Sequence, residues 1–178
     1  KVSVTINGVK HAMTYDAANE RFSYDLTDIR TGDYCYYYTV DGVEKLDAYN
    51  AETKVYDGKT CSYRFYKKFD AAITAELSQS FMDYNDNNVL TIKTNPAEGA
   101  DMSGFEVATA TVDLSALGLS STYAIDPELM EATISCLDTT TTGDKTLPVT
   151  VKDIYGNVYR TSTNVTVTER DKKDGDFD

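Results

Sequence analysis

The sequence has 178 residues, of which 41% are hydrophobic and 26% are charged, so it is long enough for two domains of about 90 residues and apolar enough for packed cores rather than disorder. Asp and Glu total 29 against 17 for Lys and Arg, which gives a net charge of -12. A surface this acidic repels phosphate backbones and anionic lipids, which argues against nucleic acid and membrane partners and leaves neutral ligands such as sugars open.

The rarer residues exclude several kinds of chemistry. The chain has one His, three Cys and no Trp, but 14 Tyr. A single His rules out His-based metal clusters and argues against His-based catalysis, so we expect no cofactor and no resident metal. The cysteines lie far apart with no Cys-x-x-Cys pair, and we expect them to be small buried residues, although one disulfide, between Cys35 and Cys61, stays open.

No apolar stretch is long enough to cross a bilayer, and no basic-then-apolar leader opens the chain. The sequence begins within a strand pattern and ends within a charged segment. We therefore expect it to be a fragment of a larger protein, with any signal peptide outside it.

Residues 1–69 have the pattern of short strands joined by tight turns. Alternating apolar residues predict strands at 2–6, 22–26, 34–40 and 61–65. Three dipeptides typical of hairpin turns follow or precede these strands: Asn7-Gly8, Asp41-Gly42 and Asp57-Gly58. No helical period of 3.6 residues extends over a useful length, so this part of the chain is predicted to be a sheet structure.

The Tyr-rich strand at 34–40 has two alternating sets of side chains. One set is the more apolar and ends in Val, so we assign it to the core: Tyr34, Tyr36, Tyr38 and Val40. Tyr37 then points outward.

From about residue 70 the sequence becomes rich in Thr, Val and Ala, with alternation at 90–92, 108–114, 132–136, 147–151 and 165–167. Thr-rich strands spaced by turn clusters are typical of an antiparallel β-sandwich. We predict an all-β protein of two tandem antiparallel β-sandwich domains, immunoglobulin-like or early-set-like, at 1–69 and 70–170. The charged segment 171–178 is predicted to be a linker toward a further, catalytic domain.

Several motifs resemble a known family. The segment Gly32–Gly42 (GDYCYYYTVDG), followed by LDAYN at 46–50, resembles the strand-and-turn signature of starch- and glycogen-associated β-sandwich modules. Tyr38 stands where those modules have Phe, and Ala48 where they have Pro. Segments 113–118 and 145–157 resemble the immunoglobulin-like repeat beside such modules in secreted bacterial amylases and pullulanases, and 167–178 is similar to the linker before their catalytic barrel.

The resemblance implies a function. It identifies the chain as a non-catalytic accessory region that holds a secreted or cell-surface bacterial enzyme of the amylase type on starch or a related α-glucan. Its partners would be the glucan and a covalently linked catalytic domain. A weak binding site next to a catalytic domain raises the effective concentration of that domain on an insoluble polymer.

Six residues are candidates for sugar contact, because sugars lay C–H faces on aromatic rings and bond their hydroxyls to polar neighbours. By the resemblance, Tyr37 takes the place of a sugar-contacting residue, and Tyr15 lies near the position of an aromatic platform. Tyr49, Tyr56, Asp47 and Asn50 lie in or beside the following turns. The alternative is that all these rings only pack against neighbouring strands.

Two other functions stay open. The domains could be a structural spacer that positions a catalytic or cell-surface domain without binding glycan, or an adhesin-type module that binds a folded protein. No pair of carboxylates suited to glycoside hydrolysis stands out, and His11 has no Gly-x-Ser-x-Gly partner. The segment 83–88 resembles the start of a calcium loop, but it has Asn88 and Thr94 where such a loop needs Gly and Glu, so a turn is favoured.

Overall fold

The computed structural model describes residues 1–84 and 86–169. The chain divides into two compact units, Lys1–Lys68 (the N-terminal unit) and Phe69–Asp178 (the C-terminal unit). The all-β class is confirmed, since the described residues form sixteen strands and one short 3-10 helix. None of the described helical residues forms a segment able to cross a membrane. The predicted linker at 171–178 lies outside the described residues.

Eight strands build the N-terminal unit. They are β1 (Val2–Ile6), β2 (Val9–Ala12), β3 (Thr14–Asp16), β4 (Arg21–Ser23), β5 (Gly32–Val40), β6 (Val43–Lys45), β7 (Thr53–Tyr56) and β8 (Lys59–Tyr66). The main sheet has the order β2-β1-β5-β8-β7, and β6 pairs with β5 beyond the end of its pairing with β8. Strands β3 and β4 form a separate two-stranded hairpin.

The tight turns follow directly from the sequence. In each of the three predicted pairs both residues have positive φ, as in Asn7 (46°) and Gly8 (81°), which join β1 to β2. Asp41-Gly42 joins β5 to β6, and Asp57-Gly58 joins β7 to β8. These turns are therefore confirmed. The strand predicted at 22–26 is shorter than expected, because β4 ends at Ser23.

The predicted core of the N-terminal unit is wrong. The four residues assigned to it, Tyr34, Tyr36, Tyr38 and Val40, are only half-buried. On β5 the buried residue is Cys35, which belongs to the opposite face. The face that carries Tyr36 and Tyr38 is covered in part, since Val4, directly opposite Tyr38, and Ser62, directly opposite Tyr36, are buried.

All three cysteines are buried and free, which confirms their prediction as small core residues. Cys35 lies directly opposite Tyr63 on β8, so Cys35 and Cys61 are diagonal rather than direct neighbours on adjacent strands. Diagonal pairs in antiparallel sheets lie about 7–8 Å apart, which is long for a disulfide. Burial, followed by the nearby Cys35, raises the pKa of the Cys61 thiol.

Eight strands also build the C-terminal unit. They are β9 (Ala71–Leu77), β10 (Phe81–Met82), β11 (Asn88–Pro96), β12 (Val107–Val112), β13 (Tyr123–Ile125), β14 (Glu131–Ile134), β15 (Gly143–Asp153) and β16 (Val158–Val167). One sheet has the order β10-β16-β15-β12-β13 and the other β14-β11-β9. Every pairing is antiparallel except the short β10–β16 pair.

The core of the C-terminal unit takes residues from both sheets. Leu90, Ile92 and Ile134 come from the three-stranded sheet, and Leu147 and Val151 from the five-stranded sheet. Their alternation along β11 and β15 matches the period of two that the sequence shows, since side chains of one parity share a face. This unit is a β-sandwich with a continuous apolar interior.

The loop between β15 and β16 is organised by one buried carboxylate. Asp153 accepts hydrogen bonds from the backbone N–H groups of Tyr155 and Asn157, from the Asn157 amide and from the Tyr159 hydroxyl, at 2.7–3.0 Å. Four donors satisfy both oxygens of a group that would otherwise be costly to bury.

Candidate functional site

An open groove of about 330 Å³ lies on the Tyr36–Tyr38 face of the N-terminal unit. Its lining comes from β1, β5, the hairpin β3–β4 with the residue before it, and the end of β6 with the turn that follows. The lining residues, which we call the aromatic groove, are Val2, Met13, Phe22, Tyr38, Val40, Lys45, Leu46, Asp47, Ala48 and Tyr49. The volume is at the low end of the range of about 300–1,000 Å³ for ligand pockets, so the groove fits a short stretch of a polymer.

Three aromatic rings from separate elements line this groove: Phe22, Tyr38 and Tyr49. Tyr15 packs against Phe22 across the hairpin with ring centroids 5.1 Å apart, and thus extends the aromatic surface beyond the groove. Tyr36 meets Tyr38 edge to face at 5.9 Å. Tyr15 and Phe22 are exposed, and Tyr49 is fully exposed. Rings that keep their faces accessible in this way are available to a ligand.

The turn that carries Tyr49 is fixed by Asp47. The backbone N–H of Asp47 donates to the hydroxyl of the buried Ser62 at 2.9 Å. Its carboxylate accepts the Tyr49 N–H at 2.9 Å through Oδ1 and the Tyr36 hydroxyl at 2.6 Å through Oδ2. Asp47 therefore ties the turn to two strands of the main sheet, β5 and β8.

Asn50 completes the same network. Its Nδ2 donates to the Tyr36 hydroxyl at 3.1 Å and to the Tyr63 carbonyl at 2.8 Å, and its Oδ1 accepts the Glu52 N–H at 3.0 Å. Burial, together with the hydrogen bond to Asp47, raises the pKa of Tyr36 to about 12. The phenol thus stays protonated and holds the turn, which presents Tyr49 on a well-anchored segment.

Tyr37 and Tyr56 lie on the opposite face of the sheet. Tyr37 is adjacent to Tyr38 on β5 and so points the other way. The Lys59 ammonium lies 4.2 Å from the centroid of the Tyr37 ring, and Lys59 also pairs with Glu44. Tyr56 is directly opposite Lys59 in register, and its hydroxyl donates to the Asn7 carbonyl at 3.1 Å.

The six predicted sugar-contacting residues are therefore divided between two faces. Tyr49 and Asp47 line the aromatic groove, Tyr15 borders it through Phe22, and Asn50 supports it through Tyr36. Tyr37 and Tyr56 belong to the other face, where Tyr37 already carries an ammonium over its ring.

Phe22, Tyr38 and Lys45 line the groove although no sequence pattern predicted them there. Phe22 was predicted only as a strand residue and Tyr38 as part of the core. Alternation shows which residues share a face but not how far that face is covered: Val4 is buried, whereas Tyr38, directly opposite it, is only half-buried. Lys45 is directly opposite Tyr38 in the β5–β6 pairing, and no sequence motif around it indicates a ligand-contacting residue.

Hydrogen bonds hold the described residues of the segment that resembles a calcium loop. Asp83 donates its N–H to the Asp86 carboxylate at 2.9 Å, and the Asn88 side chain is bonded to Ser78 and Gln79. Within residues 1–84 and 86–169, no group of three His, Cys, Asp or Glu residues is placed to hold a metal ion. Asn85 lies outside the described residues.

No protein-family model matches the chain, and no curated protein matches it either. Several solved structures, however, match the chain. The fibronectin(III)-like modules of Clostridium thermocellum CbhA match with 13% identity and a TM-score of 0.44, over 96% of this chain and 77% of that one.

Two further structures match over a smaller share of their own length. Yersinia pseudotuberculosis adhesin InvE has 15% identity and a TM-score of 0.37, over 94% of this chain and 48% of that one. SGBP-B of the Bacteroides ovatus mixed-linkage glucan utilization locus, in complex with a mixed-linkage heptasaccharide, has 15% identity and a TM-score of 0.26, over 94% of this chain and 39% of that one. All three TM-scores lie below 0.5.

Proposed function

We propose that the N-terminal unit binds a neutral polysaccharide in the aromatic groove, and that the polysaccharide is an α-glucan of the starch or glycogen type. One observation carries the binding proposal: Phe22, Tyr38 and Tyr49, from three separate elements, line one open groove. The choice of α-glucan rests on the resemblance of Gly32–Gly42 and its following turn to starch-associated modules.

The chemistry of the groove suits a sugar. Aromatic rings offer flat apolar surfaces for the C–H faces of pyranose rings, and Lys45 offers hydrogen-bond donors for hydroxyl groups. The net charge of -12 works against an anionic polymer, since long-range repulsion slows its approach. A neutral glycan avoids that repulsion.

The proposed role of the whole chain is targeting without chemistry. The N-terminal unit is the starch-binding-like module, the C-terminal unit is the immunoglobulin-like module, and a covalently linked amylase-type catalytic domain does the hydrolysis outside the cell or at its surface. A binding site of modest affinity suffices, because linkage turns rebinding into an intramolecular event.

The test is retardation of the 178-residue chain in a native gel that contains soluble starch. We expect Tyr49→Ala to weaken binding about tenfold, because it removes an accessible ring from the groove. Tyr37→Ala is the matched control: it removes the same phenol from the same unit but on the opposite face, and it should leave retardation unchanged.

Three outcomes would contradict the proposal. No retardation of the unmodified chain would favour the spacer. Retardation lost with Tyr37→Ala but kept with Tyr49→Ala would move the site to the other face. Release of reducing sugar by the purified chain would overturn its non-catalytic role.

A further inference from the structure

We propose that Asn50 is a positioning residue: it contributes to glycan binding by holding the turn that carries Tyr49, and it makes no contact with the sugar. This inference rests on the proposed function. It gives Asn50 a different role from the sugar contact that the resemblance implies, and it assigns the connection between Asn50 and Tyr49 to Tyr36 and Asp47.

The hydrogen-bonding groups of the Asn50 side chain are all engaged within the protein. Its two amide hydrogens go to the Tyr36 hydroxyl at 3.1 Å and the Tyr63 carbonyl at 2.8 Å, and its oxygen accepts the Glu52 N–H at 3.0 Å. An Asn side chain has only two N–H donors. Asn50 also lies outside the lining of the aromatic groove. A sugar hydroxyl could therefore bind the Asn50 amide only by displacing one of these partners.

A continuous chain of hydrogen bonds leads from Asn50 to the backbone of Tyr49. The Tyr36 hydroxyl, which accepts from Asn50, donates to Asp47 Oδ2 at 2.6 Å. Asp47 Oδ1 in turn accepts the Tyr49 N–H at 2.9 Å. The Asn50 N–H also donates to the Asp47 carbonyl at 3.2 Å, which closes a turn around residues 48 and 49. Loss of the Asn50 amide therefore removes support from the turn that carries Tyr49.

The Tyr49 side chain depends on this turn for its position. Its relative exposure is 101%, and among residues 1–84 and 86–169 its hydroxyl has no hydrogen-bond partner and its ring no aromatic partner. A ring without such partners is positioned by its backbone. Because ordering a side chain on binding costs affinity, a turn that is already fixed makes the Tyr49 ring a better binding surface.

The experiment is a double-mutant cycle in which retardation of the 178-residue chain in a native gel measures its binding to soluble starch. We expect Asn50→Ala and Tyr36→Phe each to weaken binding about fivefold, because the Tyr49 ring must then be ordered on binding. In a chain that also carries Tyr49→Ala, each should weaken binding by less than about twofold, since no ring remains to be positioned. A residue that contacts the sugar itself would keep its full effect in that background.

A spectroscopic measurement separates positioning from a general loss of stability. The chain has no Trp, so Tyr49→Trp places a single indole in the turn. In the chain that carries Tyr49→Trp, we expect Asn50→Ala to lower the fluorescence anisotropy of the indole, because the turn is less restrained, and soluble starch to raise it again.

Asn7→Gly is the matched control. The Asn7 side chain also bonds to backbone groups of the N-terminal unit, those of Asp33 and Cys35, but Asn7 lies outside the groove lining. Gly tolerates the positive φ of this position. The control variant should change neither starch binding nor the anisotropy, and circular dichroism checks that every variant is folded.

Two outcomes would overturn the inference and leave the proposed function standing. One is an effect of Asn50→Ala on starch binding that is equally large with and without the Tyr49 ring, which would indicate direct contact with the sugar. The other is an indole anisotropy that Asn50→Ala leaves unchanged. Absence of starch binding by the unmodified chain would instead overturn the proposed function, and the anisotropy would then still show whether Asn50 positions residue 49.

Discussion

Asp153 shows how a single buried acidic side chain can specify a loop. Tyr155, Asn157 and Tyr159 all donate to it, and it lies at the end of β15 where the chain reverses into β16. Charge-assisted hydrogen bonds of this kind are about twice as strong as neutral ones. The carboxylate acts in this loop together with the positive φ of Gly156 (89°), whereas in the Asn-Gly and Asp-Gly turns both residues have positive φ.

Replacement of Asp153 should therefore strongly destabilise the C-terminal unit. We expect Asp153→Ala to lower the free energy of unfolding of the C-terminal unit by about 3 kcal/mol, because buried donors lose their acceptor. Asp144→Ala on the same strand is the control: Asp144 is exposed and accepts the Thr166 hydroxyl, and its loss should cost about 0.5 kcal/mol. Urea unfolding measures both values, and similar losses for the two variants would show that the network contributes little.

At the scale of elements, the turn after β6 depends on the protonated phenol of Tyr36. Its hydroxyl joins Asp47 to Asn50, and its pKa is raised from 10.0 to about 12. The unfolded chain loses this proton near pH 10, whereas the folded chain keeps it to a higher pH. The resulting stabilisation is complete below pH 10 and is lost as the pH rises to about 12.

Tyr36→Phe tests this dependence. We expect the variant to be about 1 kcal/mol less stable at pH 7, because the hydrogen bonds to Asp47 and Asn50 are gone. Between pH 10 and 12 its stability should fall less steeply than that of the unmodified chain. It should still fall, since the pKa values of Tyr38 and Tyr63 are also raised. Urea unfolding at several pH values measures the slope, and parallel slopes for the two chains would contradict this account.

Local signals in the sequence predicted most of the strands and turns. Asn7-Gly8 and the two Asp-Gly pairs determine their own backbone conformation, so no distant residue is needed to place them. The groove is different. Phe22 and Tyr38 are 16 positions apart in the sequence, and they line the same groove through tertiary structure that no local pattern at either residue encodes. For the same reason, alternation alone predicted Tyr38 as a core residue, although it is half-buried.

At the scale of the molecule, the two units differ in how much apolar surface they bury. The buried residues of the C-terminal unit form one large cluster from both of its sheets. The N-terminal unit has few buried apolar side chains, among them Val4, Cys35, Cys61 and Tyr66, and several of its buried residues are Ser or Thr. Because burial of apolar surface supplies most of the driving force for folding, the N-terminal unit should be the less stable one.

Thermal unfolding should accordingly show two transitions, the lower one from the N-terminal unit. We expect Leu147→Ala to destabilise the C-terminal unit by about 3 kcal/mol and to shift only the upper transition. Val4→Ala should destabilise the N-terminal unit by about 1.6 kcal/mol, which corresponds to two buried methylene equivalents. It should shift only the lower transition. Differential scanning calorimetry separates these events, and one transition that moves with both variants would show that the chain unfolds as a single cooperative body.

Two residues of the aromatic groove, Phe22 and Tyr49, lie on short segments rather than on the central strands. Phe22 belongs to a hairpin outside the main sheet, and Tyr49 to a turn after the short strand β6. Replacement of Phe22 or Tyr49 alone would leave both the ladder from β2 to β7 and the Asp47–Tyr36–Asn50 network intact. Natural variation or deliberate grafting at these two places can therefore retune what is recognised while the scaffold keeps its shape, much as variable loops do on an antibody framework.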